Sequence, residues 1–78
     1  MAKSQKQIYN FVVCINNSDY PASLELHKIY CSIPDNEANA DGDLRIIDES
    51  GEDYLYPNDY FVPIKLPIAV KNAILQAS

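Results

Sequence analysis

YLYPNDYFVPI, Tyr54 to Ile64, carries the densest local signal in the chain. Tyr54, Leu55 and Tyr56 are aromatic and apolar types that suit a strand. Pro57 breaks the run, because proline has no N–H to give to a ladder. Asn58-Asp59-Tyr60 is too short for a helix and is followed at once by a new apolar run, so it reads as one tight helical turn. Phe61, Val62 and Ile64 form a last short strand. Pro63 within it points to a sheet edge, where a missing donor faces no neighbour.

Upstream, Glu49-Ser50-Gly51-Glu52 is the strongest turn signal, with LRIID (Leu44–Asp48) on its far side, so the two flanking runs pair as a hairpin. DNEANADGD (Asp35–Asp43) is polar, contains Gly42 and follows Pro34; it reads as a loop. Ile29, Cys31 and Ile33 share one strand face. Leu24 and Leu26 alternate with Glu25, but the phase slips near His27–Lys28. Strand side chains alternate strictly, so the slip demands a turn or bulge between two short strands, one at Leu24–Leu26 and one at Ile29–Ile33. NNSDYPAS (Asn16–Ser23) is a loop. IYNFVVCI (Ile8–Ile15) is the first strand, with Phe11, Val13 and Ile15 on one face and Val12 and Cys14 on the other. In the tail, Leu66, Val70, Ala73, Ile74 and Ala77 recur at helical spacing, and Pro67 suits a first helical position. A helix this short is marginal alone; it docks on the rest of the chain, docks on another subunit, or frays. The expected organisation is a polar N-terminal tail (1–7), a β domain (8–65) and a C-terminal helix (66–78).

The 78 residues make one domain, near the lower limit for an independent core. A core of this size leaves little room for a deep substrate cavity and suits a binding surface or a subunit. The net charge is −5, and the middle of the chain, Asp35 to Asp59, holds nine acids against one base, Arg45. Such a field repels phosphate backbones, so no nucleic acid is expected. It either keeps a small apolar domain soluble or faces a basic partner. No apolar run approaches spanning length and no apolar signal region follows Met1, so no membrane is expected and the cytoplasm is the expected location. Cys14 and Cys31 lie in apolar runs and read as reduced, buried small hydrophobes.

Several short strands with one helical turn before the last are the pattern of a small β-barrel. YPNDYFVPI (Tyr56–Ile64) resembles the Src-homology-3 signature in which Pro-Ser-Asn-Tyr leads into the final strand, with Pro57 and Tyr60 matching. SLELHKIY (Ser23–Tyr30) resembles that family's diverging turn, and FVVCINN (Phe11–Asn17) lies where the family has Ala-Leu-Tyr-Asp-Tyr. The resemblance spans roughly residues 8–64. It implies a mainly β fold: a five-stranded Src-homology-3-like (SH3-like) barrel, a single-turn helix before the last strand and a short C-terminal α-helix. The groove that binds proline-rich peptides in eukaryotic members is depleted here. Its two tyrosines correspond to Ile15 and Asn17, its tryptophan to about Leu44, and only Pro57 and Tyr60 remain. What is left looks like the bacterial barrels of this type, many without an assigned role.

Six tyrosines and no tryptophan stand out. Tyr54 and Tyr56 share a strand face, Tyr60 follows one turn later, and Tyr20 and Tyr30 are candidates to join them. Tyrosine offers a large apolar face and a polar tip, which suits an interaction surface; half-buried rings finishing a thin barrel are the alternative. The candidate ligand surface is Tyr20, Tyr54, Tyr56, Pro57 and Tyr60, rimmed by Asp19, Asp53 and Asp59. Val70 and Ile74 are the candidate oligomer contact. Glu37 to Asp48 has partial calcium-loop spacing, but Asp48 is short for the closing ligand and residues 44–48 read as a strand. His27 is the one histidine, without a nucleophile elbow or a phosphate loop; with Cys14 and Cys31 it lacks a fourth zinc ligand. The expected function is a small protein- or peptide-interaction module, not an enzyme and without cofactor, monomeric or weakly self-associating. The alternative is an accessory subunit that self-associates through the C-terminal helix.

Overall fold

The computed structural model describes residues 9–77. The polar tail assigned to 1–7 lies outside them. Five strands, β1 (Asn10–Cys14), β2 (Ile29–Ile33), β3 (Asp43–Ile47), β4 (Asp53–Pro57) and β5 (Phe61–Ile64), form one sheet in the order β4-β3-β2-β1-β5. Every neighbouring pair is antiparallel. The protein is therefore mainly β, and the sheet is not closed: β4 and β5 remain its edges. Pro63 sits on the edge strand β5, opposite Val12. A single 3-10 turn, Asn58–Tyr60, joins β4 to β5, and α2 (Ile68–Ala77) closes the described chain.

Directly opposed residues share a face of the sheet. The register thus sorts the side chains. Val12 faces Tyr30, Cys14 faces Phe61, Ile46 faces Ser32 and Tyr54, and Leu44 faces Tyr56. This face carries the core: Val12, Cys14, Tyr30, Ile46, Tyr56 and Phe61, joined by Leu24 and Tyr60 from the connections and partly by Leu44. Burying these groups is the main favourable contribution, roughly 1.5–3 kcal/mol for each large apolar side chain. Phe11, Val13, Ile29, Cys31, Ile47, Val62 and Ile64 lie on the opposite face. Phe11 is buried there, with the Lys71 ammonium of α2 6.0 Å from its ring centroid. Cys31 is only half-buried, a correction to its reading as a core residue, because its parity sends it to this outer face; both thiols are free.

Two local expectations, a short strand at Leu24–Leu26 and a loop throughout Asp35–Asp43, are corrected. The phase slip is a bulge: Cys14 N–H donates to Lys28 O at 3.0 Å, and His27 N–H donates to Cys14 O at 2.7 Å, so two residues oppose one. His27 adopts φ 66°, the left-handed conformation that such a bulge imposes on its first residue. Leu24–Leu26 is not a strand; it belongs to the turns that lead into this bulge. The polar stretch after Pro34 contains a helix, α1 (Asn36–Ala40). Asp35 caps it by accepting the Ala38 N–H at 3.0 Å, and its other oxygen accepts Arg45 Nε at 2.8 Å. Asp and Asn favour such caps because they satisfy an orphan donor of the first turn. Glu37 and Asn39 thereby lie on α1, while Asp48 lies past the far end of β3, about 16 Å of strand away. The calcium-like spacing does not converge on a point.

Candidate functional site

The site is assembled from the loop after β1 and the β3–β4 hairpin. Gly51, at φ 84°, lets that hairpin close: its N–H donates to Asp48 O at 3.0 Å, and Asp48 N–H donates to Glu52 O at 3.1 Å. Asp48 continues the parity of Leu44 and Ile46, so its carboxylate turns to the core face although it lies in a turn. It is 6% exposed. One oxygen accepts Ser50 N–H at 2.9 Å and Ser50 Oγ at 2.6 Å; the other accepts the Tyr56 hydroxyl at 2.5 Å. Burial works to raise this carboxyl, but the hydrogen bonds from Ser50 and Tyr56 outweigh it and hold it below its ordinary value. It is ionised at neutral pH.

The loop after β1 is pinned to that hairpin. Tyr20 N–H donates to Asn17 O at 2.9 Å, while Tyr20 O accepts from Ser23 N–H at 3.1 Å and Leu24 N–H at 3.0 Å. Glu49 N–H donates to Ser23 O at 3.1 Å, which ties the two segments together. Tyr20 then packs edge-on against Tyr56, with centroids 4.9 Å apart and planes at 85°, and against Tyr60 at 6.1 Å. Such edge-to-face pairs exploit the ring quadrupole. Between Tyr20, Tyr54 and Tyr56 lies an open cavity of about 350 Å³, with Asp48 and the serines 23 and 50 in its wall.

The tyrosines divide into two kinds. Tyr20 and Tyr54 are 40% and 51% exposed, whereas Tyr56 and Tyr60 are 3% and 7% exposed and belong to the core. The reading of all four as one open face is therefore corrected: two rings face outward, and the other two are core residues that pack against Tyr20. Pro57 is half-buried at the end of β4 and lies outside the cavity wall. Of the acids assigned to a rim, Asp19 accepts the Tyr60 hydroxyl at 2.7 Å. Asp53 turns to the other face and pairs with Arg45 Nη1 at 2.9 Å, so it leaves the rim. Asp59 is exposed in the 3-10 turn.

Each of the three buried tyrosines donates its hydroxyl to a carboxylate: Tyr30 to Glu49 at 2.5 Å, Tyr56 to Asp48, and Tyr60 to Asp19. Burial first, and then the Asp48 hydrogen bond, push the Tyr56 phenol from 10.0 up to about 12. Burial and Glu49 push Tyr30 up as well. A raised phenol favours the folded state below the unfolded value of 10.0, and that contribution disappears as pH rises through about 12. We expect a late step in phenolate absorbance in that alkaline window, coincident with loss of near-ultraviolet circular dichroism. Complete ionisation near pH 10 with the fold intact would contradict the burial of Tyr56.

Ser23 and Ser50 carry no signal in composition or motif, and Asp48 enters the sequence reading only as the short closing position of a calcium-like loop, not as a buried carboxylate. The parity Leu44, Ile46, Asp48 was the available signal for that burial. A second hollow, about 400 Å³ between Phe11, Leu44 and Ile64, has Lys65 as the one ionisable group in its wall among the described residues, and no buried charge among them. Among the described residues no helix is long and apolar enough to cross a membrane. The fold and the site define a mainly β domain with an aromatic, acidic cleft. Searches of family models, of curated proteins and of solved structures find no match to this chain.

Proposed function

We propose that the chain is a small protein- or peptide-interaction module built as a cytoplasmic, bacterial-type Src-homology-3-like barrel, with its ligand surface at Tyr20 and Tyr54. The observation that carries this reading is the pair of outward rings at the mouth of a formed cavity, with Tyr20 held from beneath by Tyr56 and Tyr60. Rigid aromatic anchors give contact area at low entropic cost. The strand order and the 3-10 turn before β5 support the barrel reading. Tyr60 and Pro57 do not stack into an open groove, which turns the reading away from proline-rich ligands and towards a basic partner. The experiment is an amide-resolved NMR titration with basic, proline-rich and neutral peptides. Shifts centred on Tyr20 and Tyr54 with the basic peptides support the module; shifts elsewhere, or none, overturn it.

A second reading, self-association, rests on apolar side chains left open: Ile68 is 75% exposed on α2, and Val70 and Val62 are exposed too. Ile74 is half-buried, so Val70→Glu rather than Ile74→Glu is the clean test. If light scattering finds an oligomer that Val70→Glu does not dissociate, α2 is not its contact.

A further inference from the structure

We propose that the cavity between Tyr20 and Tyr54 is a receptor for an alkylammonium group, with the apolar stem against the rings and the cation over Asp48. The inference rests on the interaction-module reading for where the group comes from, a lysine side chain of the partner, and not for the chemistry of the site.

Asp48 carries a charge that no described cation balances. Asp48 is more than nine-tenths buried, and its three hydrogen bonds come from neutral donors. The ion pairs among the described residues join Lys28 to Glu49 and Arg45 to Asp35 and Asp53; none involves Asp48. Neutral donors reduce the cost of a buried carboxylate but leave its field in place. That field opens into a cavity whose wall holds no cation among the described residues. Glu52 lies next to it through Tyr54, whose hydroxyl it accepts.

The wall of the cavity suits a cation on an apolar stem. Tyrosine faces attract cations through the ring quadrupole, and they also shed water onto methylene groups. An anion is repelled by the acids. A neutral apolar group would strip Asp48 of its remaining solvent and return no charge. A hard divalent cation wants six or more oxygen ligands, and the wall offers one carboxylate.

The hydrogen bonds already made by Asp48 favour ammonium over guanidinium. A carboxylate offers about four lone-pair positions. Ser50 occupies two on one oxygen of Asp48, and Tyr56 occupies one on the other. A single position is left. The two-pronged pairing that favours arginine needs both oxygens free. A compact ammonium needs only one.

The test uses the whole protein and four probes: n-butylammonium, n-propylguanidinium, n-butanol, and a capped peptide with one central lysine. Affinities are read from NMR shifts at Asp48, Ser50 and Tyr54. We expect saturable n-butylammonium binding, at least about tenfold tighter than n-butanol and weakened at least about tenfold by Asp48→Asn, on the scale of a desolvated cation–ring contact. Propylguanidinium should bind several-fold more weakly than n-butylammonium. Asp48→Asn keeps an oxygen for Ser50; should it fail to fold, Tyr54→Ala removes an exposed ring without touching the core and carries the same expectation. Equal binding of n-butanol and n-butylammonium, guanidinium preference, or unchanged affinity in a folded variant overturns the proposal. Tighter binding of the lysine peptide than of n-butylammonium assigns the site to a protein side chain. Binding of n-butylammonium alone keeps the ammonium site but assigns it to free amines and removes the interaction module. Peptide shifts at Tyr20 and Tyr54 without any probe cation binding do the reverse.

Discussion

Tyr56→Ala is expected to unfold the domain or leave it barely folded, whereas Tyr54→Ala leaves it standing. The two residues lie two apart on β4 and share a face, yet Tyr56 is 3% exposed and Tyr54 51%. Removing a buried aromatic side chain costs about 3–5 kcal/mol, the lost transfer energy together with the cavity left behind. Tyr56 also packs edge-on against Tyr20 and Phe61, at 4.9 and 6.3 Å. Single domains have only about 5–15 kcal/mol to lose, and one of 78 residues belongs near the low end. Urea denaturation should show the midpoint of Tyr56→Ala collapsing towards zero and that of Tyr54→Ala close to wild type. A wild-type midpoint for Tyr56→Ala would mean that the ring is not a core element. The consequence for function is direct: loss of partner capture in a Tyr56 or Tyr60 alanine variant reports loss of the fold. Only Tyr20 and Tyr54 are suited to test the surface.

The contrast between Tyr54 and Tyr56 shows where sequence reasoning reached its limit. Parity puts both on one face, but it does not say how far along the strand the core extends. Asn58–Tyr60 and the hairpin turn at Gly51 were legible because their chemistry is local: a proline ahead of a polar step, and a glycine where φ is positive. The bulge at His27 was legible as a break in alternation for the same reason. The helix α1 was not, because five residues carry no periodicity and its one signal, Asp35 as a cap, also fits a loop. The hydroxyl–carboxylate pairs were out of reach altogether. Tyr60 and Asp19 are 41 residues apart, and nothing in either neighbourhood names the other. The acidic surplus of the middle segment has the same explanation in part. Asp48 and Glu49 each take a phenol, and Glu49 also takes Lys28 at 2.6 Å, so excess acid is retained without a matching base.

Asp48→Ala should be the most damaging substitution of a charged residue in the chain, by about 2–4 kcal/mol, because it strands a buried hydroxyl that had donated to a charged acceptor. The Ser50 groups it also releases are exposed and regain water, so the cost concentrates on Tyr56. Tyr56→Phe removes the hydroxyl and leaves the ring, and should cost less, about 1–2 kcal/mol. In the double variant the stranded donor no longer exists. The two losses should therefore not add, and the coupling between them should be about 1–3 kcal/mol by denaturant midpoints. Additive losses would mean that the 2.5 Å contact contributes nothing net. Acid removes the charge of Asp48 but leaves its oxygens in place as weaker acceptors. Asp48 is held below 3.8 in the folded protein, so its contribution is complete above that value and disappears as pH falls through the lower, folded one. At pH 7 Asp48→Ala and wild type should differ by the full amount; in strong acid, where the carboxylate is protonated, the gap should narrow. A gap that stays constant with pH would place the energy in side-chain volume and not in the charge. Asp48 would then be a packing residue, and the cleft above it would have no more claim on a cation than the apolar hollow beside Phe11.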